Sequence, residues 1–114
     1  MVDIQKWKTQ FRKGYLELCI LSLLEAGKKM YGFEMLDALG RLDLWIKEGT
    51  LYPLLNRLRS DGLLDSRWET ESSTHPRKFY TLTNKGFTVL EMMRKEFEEM
   101  RNQLHKIQHE EIKK

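Results

Sequence analysis

The clearest pattern of hydrophobic and polar positions lies between Glu48 and Leu64. Four leucines there recur at the i, i+3, i+4, i+7 spacing of one helical face: Leu51, Leu54, Leu55 and Leu58. Three residues fall on the opposite face: Tyr52, Asn56 and Arg59. Pro53 is tolerated only in a first turn, so the regular helix is predicted to begin close to Gly49 or Thr50. The pattern predicts an amphipathic helix with one face for a core and the other for binding.

Shorter patterns predict the elements on either side of this helix. Residues 13–26 carry apolar positions at helical spacing, and a second helix is expected from about Gly32 to Leu39 or Leu42. Residues 1–12 are mostly polar and predict an arm or a short helix. Residues 63–69 and 77–82 favour extended structure and predict a hairpin with a polar tip between them.

The C-terminal part of the chain is predicted to form one long helix from Thr83 onward, with Thr83 as its N-cap. Six apolar residues follow at alternating spacings of three and four: Leu90, Met93, Phe97, Met100, Leu104 and Ile107. This is the spacing of a heptad seam. A helix of about 31 residues would be about 46 Å long. Because that exceeds the width of a three-helix head, we expect much of the seam to be buried against another chain.

Three helices, a hairpin and a long helix, in this order, are typical of a winged helix-turn-helix protein. The expected fold class is mainly α with a small β-hairpin. We expect a winged helix-turn-helix DNA-binding domain with an N-terminal arm over residues 1–82, and a C-terminal dimerisation helix over residues 83–114. In such heads the third helix enters the major groove, and the hairpin, or wing, reaches the flanking backbone or minor groove.

The candidate DNA-binding residues lie on the third helix and at the start of the second wing strand. They are Lys47, Thr50, Tyr52, Asn56, Arg59, Arg77 and Lys78. Asn pairs with adenine and Arg with guanine through two hydrogen bonds, while an Arg-Lys pair suits phosphate. The alternative is a solvated face for the helix, and for the wing an edge strand whose charge prevents aggregation.

Charge and composition support a partner of opposite charge and exclude several other classes. Residues 1–85 carry 14 Lys or Arg against 11 Asp or Glu, and residues 86–114 carry 6 of each, so the net charge of +3 belongs to the head. Cys19 is the one cysteine, which precludes an intramolecular disulfide and favours a reducing, cytoplasmic location. Glu17 interrupts the apolar run Tyr15–Leu24, so we expect a core helix there and neither an export signal nor a membrane span.

No motif for catalysis or for a cofactor accompanies these residues. The sequence has no glycine-rich phosphate loop, no Gly-x-Ser-x-Gly and no His-Glu-x-x-His, so an enzyme is not expected. His105 and His109 are four residues apart on a predicted helix but have no third ligand nearby, so a metal site is not expected either.

Four segments resemble the PadR family of bacterial transcriptional regulators. They are Tyr31–Glu34, Glu48–Leu58, Asp61–Leu64 and Arg77–Gly86. The resemblance covers residues 14–110 or so, and Gly-Thr-Leu-Tyr-Pro followed by Arg-Lys-aromatic-Tyr-x-Leu-Thr-x-x-Gly is quite specific. The chain departs from the family at two places. Lys47 stands where a small N-capping residue is common, and the wing tip Ser72–Pro76 replaces a shorter Gly/Arg/Pro-rich turn.

The resemblance implies a homodimer that binds an inverted-repeat operator in double-stranded DNA, usually as a repressor. Some members are released by phenolic acids or other flat hydrophobic compounds, and in some an aromatic residue of the C-terminal helix lines a pocket at the dimer centre. Phe97 lies in about that place, with Trp7, Phe11 and Tyr15 as further candidates. Packing within the seam is the alternative for Phe97. The alternative function is a winged-helix protein-interaction module that does not bind DNA.

Overall fold

The computed structural model describes residues 3–69 and 76–109. Three helices and a small antiparallel sheet form a head, and a long helix follows it, so the predicted mainly α, winged-helix class is confirmed. The elements are α1 (Ile4–Gly27), β1 (Met30–Tyr31), α2 (Gly32–Arg41), α3 (Glu48–Ser60), β2 (Leu64–Glu69), β3 (Arg77–Leu82) and α4 (Asn84–His109). Most of the predicted wing tip, residues 70–75, lies outside the described residues.

Helix α1 is longer than the sequence predicted, because it begins at Ile4 and not at residue 13. Of the two alternatives for residues 1–12, an arm or a short helix, the helix is the one observed over the described part, and it is continuous with the predicted first helix. Asp3 caps the helix, since its carboxylate accepts a hydrogen bond from the Gln5 N–H at 3.0 Å. Trp7 and Phe11 lie one turn apart, and their rings stack at 5.3 Å on the exposed surface of α1. This segment is mostly polar and its aromatic residues are exposed, so it has no apolar stripe facing the core. The spacing of apolar residues therefore does not indicate a helix there.

The sheet contains a strand that the sequence did not predict. Met30 and Tyr31 form β1, which pairs antiparallel with Tyr80 and Phe79 of β3. The predicted hairpin is present as β2 and β3, and it starts at Leu64 where the prediction began at residue 63. The strand order is β1-β3-β2. A strand of two residues is too short to show an alternating pattern, so only the tertiary fold reveals it.

Helix α3 begins at Glu48, slightly before the predicted Gly49 or Thr50, with Lys47 at the N-cap position. The Lys47 side chain makes no capping hydrogen bond. Pro53 lies inside the helix and leaves the Gly49 carbonyl without its usual N–H partner. Because Gly49 is exposed at the first turn, water can satisfy that carbonyl.

The core lies beneath α3 and gathers side chains from every helix. Three of the four predicted leucines of α3 are fully buried, and Leu54 packs partly buried against them. The buried core cluster is Ile20, Leu21, Leu24, Met35, Leu51, Leu55, Leu58, Leu63, Leu64, Tyr80 and Leu90. Burial of the leucine face fixes the rotation of α3 about its axis, and so turns its polar face to solvent.

The junction between the wing and α4 is tightly built around the predicted N-cap. The Gly86 N–H donates to Thr83 Oγ1 at 2.9 Å, and the Thr83 hydroxyl donates to the Gly62 carbonyl at 2.6 Å. A Cβ on Gly86 would collide with the carbonyl oxygen of Leu63. Only glycine therefore allows α4 to leave the head at this close approach.

Candidate nucleic-acid interface

The solvent face of α3 carries the residues that the sequence assigned to DNA. Lys47, Thr50, Asn56 and Arg59 are all exposed. Arg57, one position away from Asn56, turns back and forms an ion pair with Glu17 of α1. The amide of Asn56 and the guanidinium of Arg59 are therefore free of packing contacts on the exposed face. These are the side-chain groups that proteins use to recognise base edges in DNA.

Tyr52 is anchored differently from the other residues of this face. Its side chain is 38% exposed, and its ring lies so close to Gly32 that a Cβ there would overlap it. Burial raises the pKa of Tyr80, with a further rise from Tyr52 and an opposing effect of Arg59, so these three side chains share one neighbourhood. Tyr52 thus fastens α3 to the start of α2 and presents only part of its ring to solvent.

The wing cations lie beside this face. A groove of about 400 Å³ runs between α3 and the wing and brings Tyr52 and Asn56 together with Arg77 and Lys78. Lys47, Thr50 and Arg59 are not part of its lining, so they extend the surface along α3. The predicted residues of the two elements therefore form one surface.

Ion pairing separates the arginines into two groups. Four of them contact carboxylates: Arg41 with Asp37, Arg57 with Glu17, Arg94 with Glu25, and Arg101 with Glu98. The other four have no carboxylate partner within residues 3–69 and 76–109; they are Arg12, Arg59, Arg67 and Arg77. Three of these four arginines lie on α3 and the wing strands, so cations without a described carboxylate partner are concentrated there, a distribution that suits a polyanion.

The predicted seam of α4 divides into a buried part and an exposed part. Leu90 is fully buried in the core of its own chain, so its assignment to the intermolecular seam is corrected: it has no surface left for a second chain. Met93 and Phe97 are half-buried. Met100, Leu104 and Ile107 are each more than half exposed.

A cavity of about 470 Å³ lies between α1 and α4, next to the seam. It brings together three of the four aromatic residues that the resemblance suggested for an effector pocket, namely Phe11, Tyr15 and Phe97. The Tyr15 and Phe97 rings are 6.2 Å apart. Trp7 is not part of the lining and instead stacks on Phe11. The cavity is thus an aromatic, mostly apolar pocket of the size that suits a small molecule.

A sequence model of the transcriptional regulator PadR-like family matches residues 20–92, which is well over half of the chain. The chain belongs to the PadR-like family of transcriptional regulators. It is therefore a DNA-binding regulator and not an enzyme, as the sequence predicted.

Solved structures of PadR family proteins have the same fold as this PadR-like regulator. It is 30% identical to a PadR family transcriptional regulator from Eggerthella lenta, with a TM-score of 0.84 over 95% of this chain and 94% of that chain. A PadR family transcription regulator from Clostridium difficile is 33% identical, with a TM-score of 0.74 over 82% and 97% of the two chains. A PadR-like transcriptional regulator from Bacillus cereus is 29% identical, with a TM-score of 0.76 over 90% and 99%.

Two ion pairs of the PadR-like regulator were not predicted from the sequence. Glu17 lines the α1–α4 cavity and also contacts Arg57, so it connects the cavity with α3. Arg94 donates two hydrogen bonds to Glu25, at 2.5 and 3.2 Å, and so joins α4 to α1. The partners of each pair are far apart in the sequence, and no local pattern marks them.

The pair between Glu25 and Arg94 makes stability depend on pH. The hydrogen bonds from Arg94 lower the pKa of Glu25 below its ordinary value of 4.5. A lowered pKa in the folded state means stabilisation that is present above about pH 4.5 and disappears as the pH falls through the folded-state pKa. We expect Glu25→Gln to unfold more easily than wild type at pH 7, and we expect this difference in stability to shrink as the pH falls through the folded-state pKa of Glu25.

Denaturant unfolding at pH 7, 5 and 3 measures this difference. The control is Glu99→Gln, which removes a carboxylate of α4 that forms no ion pair with another described residue. If the free energies of unfolding of wild type and Glu25→Gln differ by the same amount at all three pH values, the carboxylate does not act through its charge.

Two further observations concern the described residues only. The rings of His105 and His109 are 4.4 Å apart, but no group of three or more His, Cys, Asp or Glu side chains within residues 3–69 and 76–109 could hold a metal ion. None of the helices in those same ranges combines the length and the apolar character needed to cross a membrane.

Proposed function

We propose that this regulator is a homodimeric, cytoplasmic repressor that binds an inverted-repeat operator through α3 of each protomer. The observation that carries the proposal is the orientation of α3. Its leucine face is buried, and its Asn56 and Arg59 face solvent beside the wing cations Arg77 and Lys78. In this arrangement Asn56 and Arg59 read base edges in the major groove, Lys47 and Thr50 contact the backbone near the start of α3, and Tyr52 supports the helix.

The exposed seam supports a second copy of the chain as the partner of α4. The apolar side chains of Met100, Leu104 and Ile107 continue the line of Met93 and Phe97 and remain exposed in a single protomer. Contiguous apolar surface of this kind is rare on monomeric proteins. A twofold pair of α4 helices would cover it and would set the two α3 helices about 34–36 Å apart, one turn of duplex DNA.

The α1–α4 cavity supports control by a flat hydrophobic or phenolic effector. The cavity adjoins the seam, and Glu17 in its wall contacts Arg57 of α3. An effector that binds better to a dimer with the wrong spacing between its heads would shift the population away from the DNA-binding form. Release from DNA would then follow from the spacing of the heads, with α3 itself unchanged.

Single substitutions on α3 test the proposal. We expect Asn56→Ala and Arg59→Ala each to weaken binding to a duplex from the gene's own upstream region, by roughly 10-fold or more, because each removes a hydrogen-bonding contact to a base edge. Both side chains are exposed, so the dimer and its thermal stability should be unchanged. Fluorescence anisotropy measures the affinity, and light scattering measures the oligomeric state.

Arg101→Ala is a matched control, since this arginine is exposed on α4 and paired with Glu98. If both α3 variants bind the duplex with wild-type affinity, α3 does not recognise the bases of the operator. A wild-type dimer that fails to retard any duplex even at low salt would favour the protein-interaction module.

A further inference from the structure

The start of the wing contains a cluster of stacked rings and cations that sequence reasoning did not identify. Tyr31 of β1 and Phe33 of α2 stack with ring centroids 5.7 Å apart and planes only 6° from parallel. We call these two rings the aromatic shelf. The guanidinium carbon of Arg77 lies 4.9 Å from the Tyr31 ring centroid and 5.8 Å from that of Phe33.

Backbone pairing places Arg77 over the shelf. Tyr31 pairs with Phe79 across β1 and β3, and its ring meets that of Phe79 edge-on at 6.3 Å. Since side chains alternate along a strand, Arg77 leaves β3 on the same face as Phe79 and so reaches the shelf. Tyr31 is itself fixed, because its backbone N–H donates to the Glu34 carboxylate at 2.8 Å. The backbone beneath the shelf is thus held in place, and the Tyr31 ring lies in contact with the rings of Phe33 and Phe79.

Stacking fixes a guanidinium without neutralising it. The arginines of the ion pairs, such as Arg94 with Glu25, use their N–H edges on a carboxylate. Arg77 instead contacts rings, and within the described ranges it has no carboxylate partner. A stacked guanidinium uses its face, so its N–H donors remain free for the two oxygens of a phosphate. Lys78 on the other side of β3 shows the same arrangement, 5.5 Å over the Trp68 ring.

We propose that the aromatic shelf preorganises Arg77 to bind a backbone phosphate of DNA, with Phe33 as a positioning residue that acts through Arg77. The inference rests on the proposed DNA binding and adds a role for a residue outside α3 and the wing strands. Phe33 is 52% exposed, so it can be replaced without opening the core. Holding the arginine in advance lowers the entropy lost when the phosphate binds.

A double-mutant cycle on a mixed-sequence duplex of about 40 base pairs tests the inference, since a phosphate contact does not depend on sequence. We expect Phe33→Leu to weaken binding by about threefold to fivefold, the size of an exposed cation–π contact. Arg77→Ala should weaken it by about 10-fold and lower the slope of log K against log salt by about 0.9 per protomer. In the Arg77→Ala background, Phe33→Leu should have no further effect.

Two further variants separate positioning from folding and from direct contact. Phe33→Tyr keeps the ring and should bind like wild type, and Phe87→Leu replaces an exposed aromatic of α4 and should also bind like wild type. Full affinity in Phe33→Leu, or losses that multiply in the double variant, would overturn the positioning role while leaving DNA binding intact. No binding by wild type at low salt would instead overturn the DNA-binding proposal, and the role of the shelf with it.

Discussion

Leu104→Asp is expected to convert the proposed homodimer into monomers. Leu104 is 55% exposed in a single protomer and lies in the distal part of the α4 seam, so the substitution leaves the core of the chain untouched. In a twofold seam, it would bury two unpaired carboxylates against apolar side chains. We expect the dissociation constant of the dimer to rise by at least about 100-fold, as measured by sedimentation equilibrium.

Loss of the dimer should also reduce DNA affinity, because a monomer binds only one half-site. In a dimer, binding of the first head raises the effective concentration of the second head at the other half-site. The loss of DNA affinity is of the order of 100-fold or more. Asn102→Asp places the same charge on the other side of α4 and should remain dimeric and bind DNA normally. A Leu104→Asp protein that sediments as a dimer at the wild-type concentration would show that the seam is not the interface.

The second large effect concerns the glycine at the start of α4. Gly86→Ala places a methyl group against the Leu63 carbonyl oxygen, a backbone atom held by the turn between α3 and β2. The junction cannot open without disturbing the Thr83 cap, whose hydroxyl bonds to Gly62. Alanine favours a helix by about 1 kcal/mol, but overpacking against backbone costs more. We expect a net loss of about 1–2 kcal/mol, which is the overpacking cost less the gain in helix propensity, measured by urea denaturation at fixed protein concentration.

Gly40→Ala is the matched control for this substitution. A Cβ on Gly40 also meets a close neighbour, but the neighbour is the ring of Trp45, a largely exposed side chain that can rotate away. We therefore expect Gly40→Ala to cost much less than Gly86→Ala. Equal losses in the two variants would indicate that contact with the backbone is not the cause.

The helices that position the interface could be predicted wherever one face meets the core. The leucine stripe and Pro53 together predicted the start of α3 to within one or two residues, and the stripe assigned Asn56 and Arg59 to the opposite face. Thr83 was predictable as a cap because capping is a local interaction. The two-residue strand β1 was missed, and the choice between an arm and a helix for residues 1–12 was left open, because neither segment buries an apolar stripe.

The contacts that shape the interface could not be predicted, because they join residues that are distant in the sequence. Nothing local indicates that Arg57 contacts Glu17 and not DNA, or that the Tyr52 ring lies against Gly32. The shelf beneath Arg77 likewise requires the pairing of β1 with β3. Residue type and periodicity predict which side chains face solvent. Tertiary contacts decide which of the charged ones form ion pairs within the chain and which remain available to a binding partner.

The central claim is that two copies of α3 read two half-sites on one face of a duplex. Selection of bound sequences from a random duplex library by the full-length protein tests it most directly. The claim predicts enrichment of an inverted repeat whose half-site centres are separated by about one helical turn, 10–10.5 base pairs, or a multiple of it. Enrichment of a single half-site, or of no sequence at all, would contradict it.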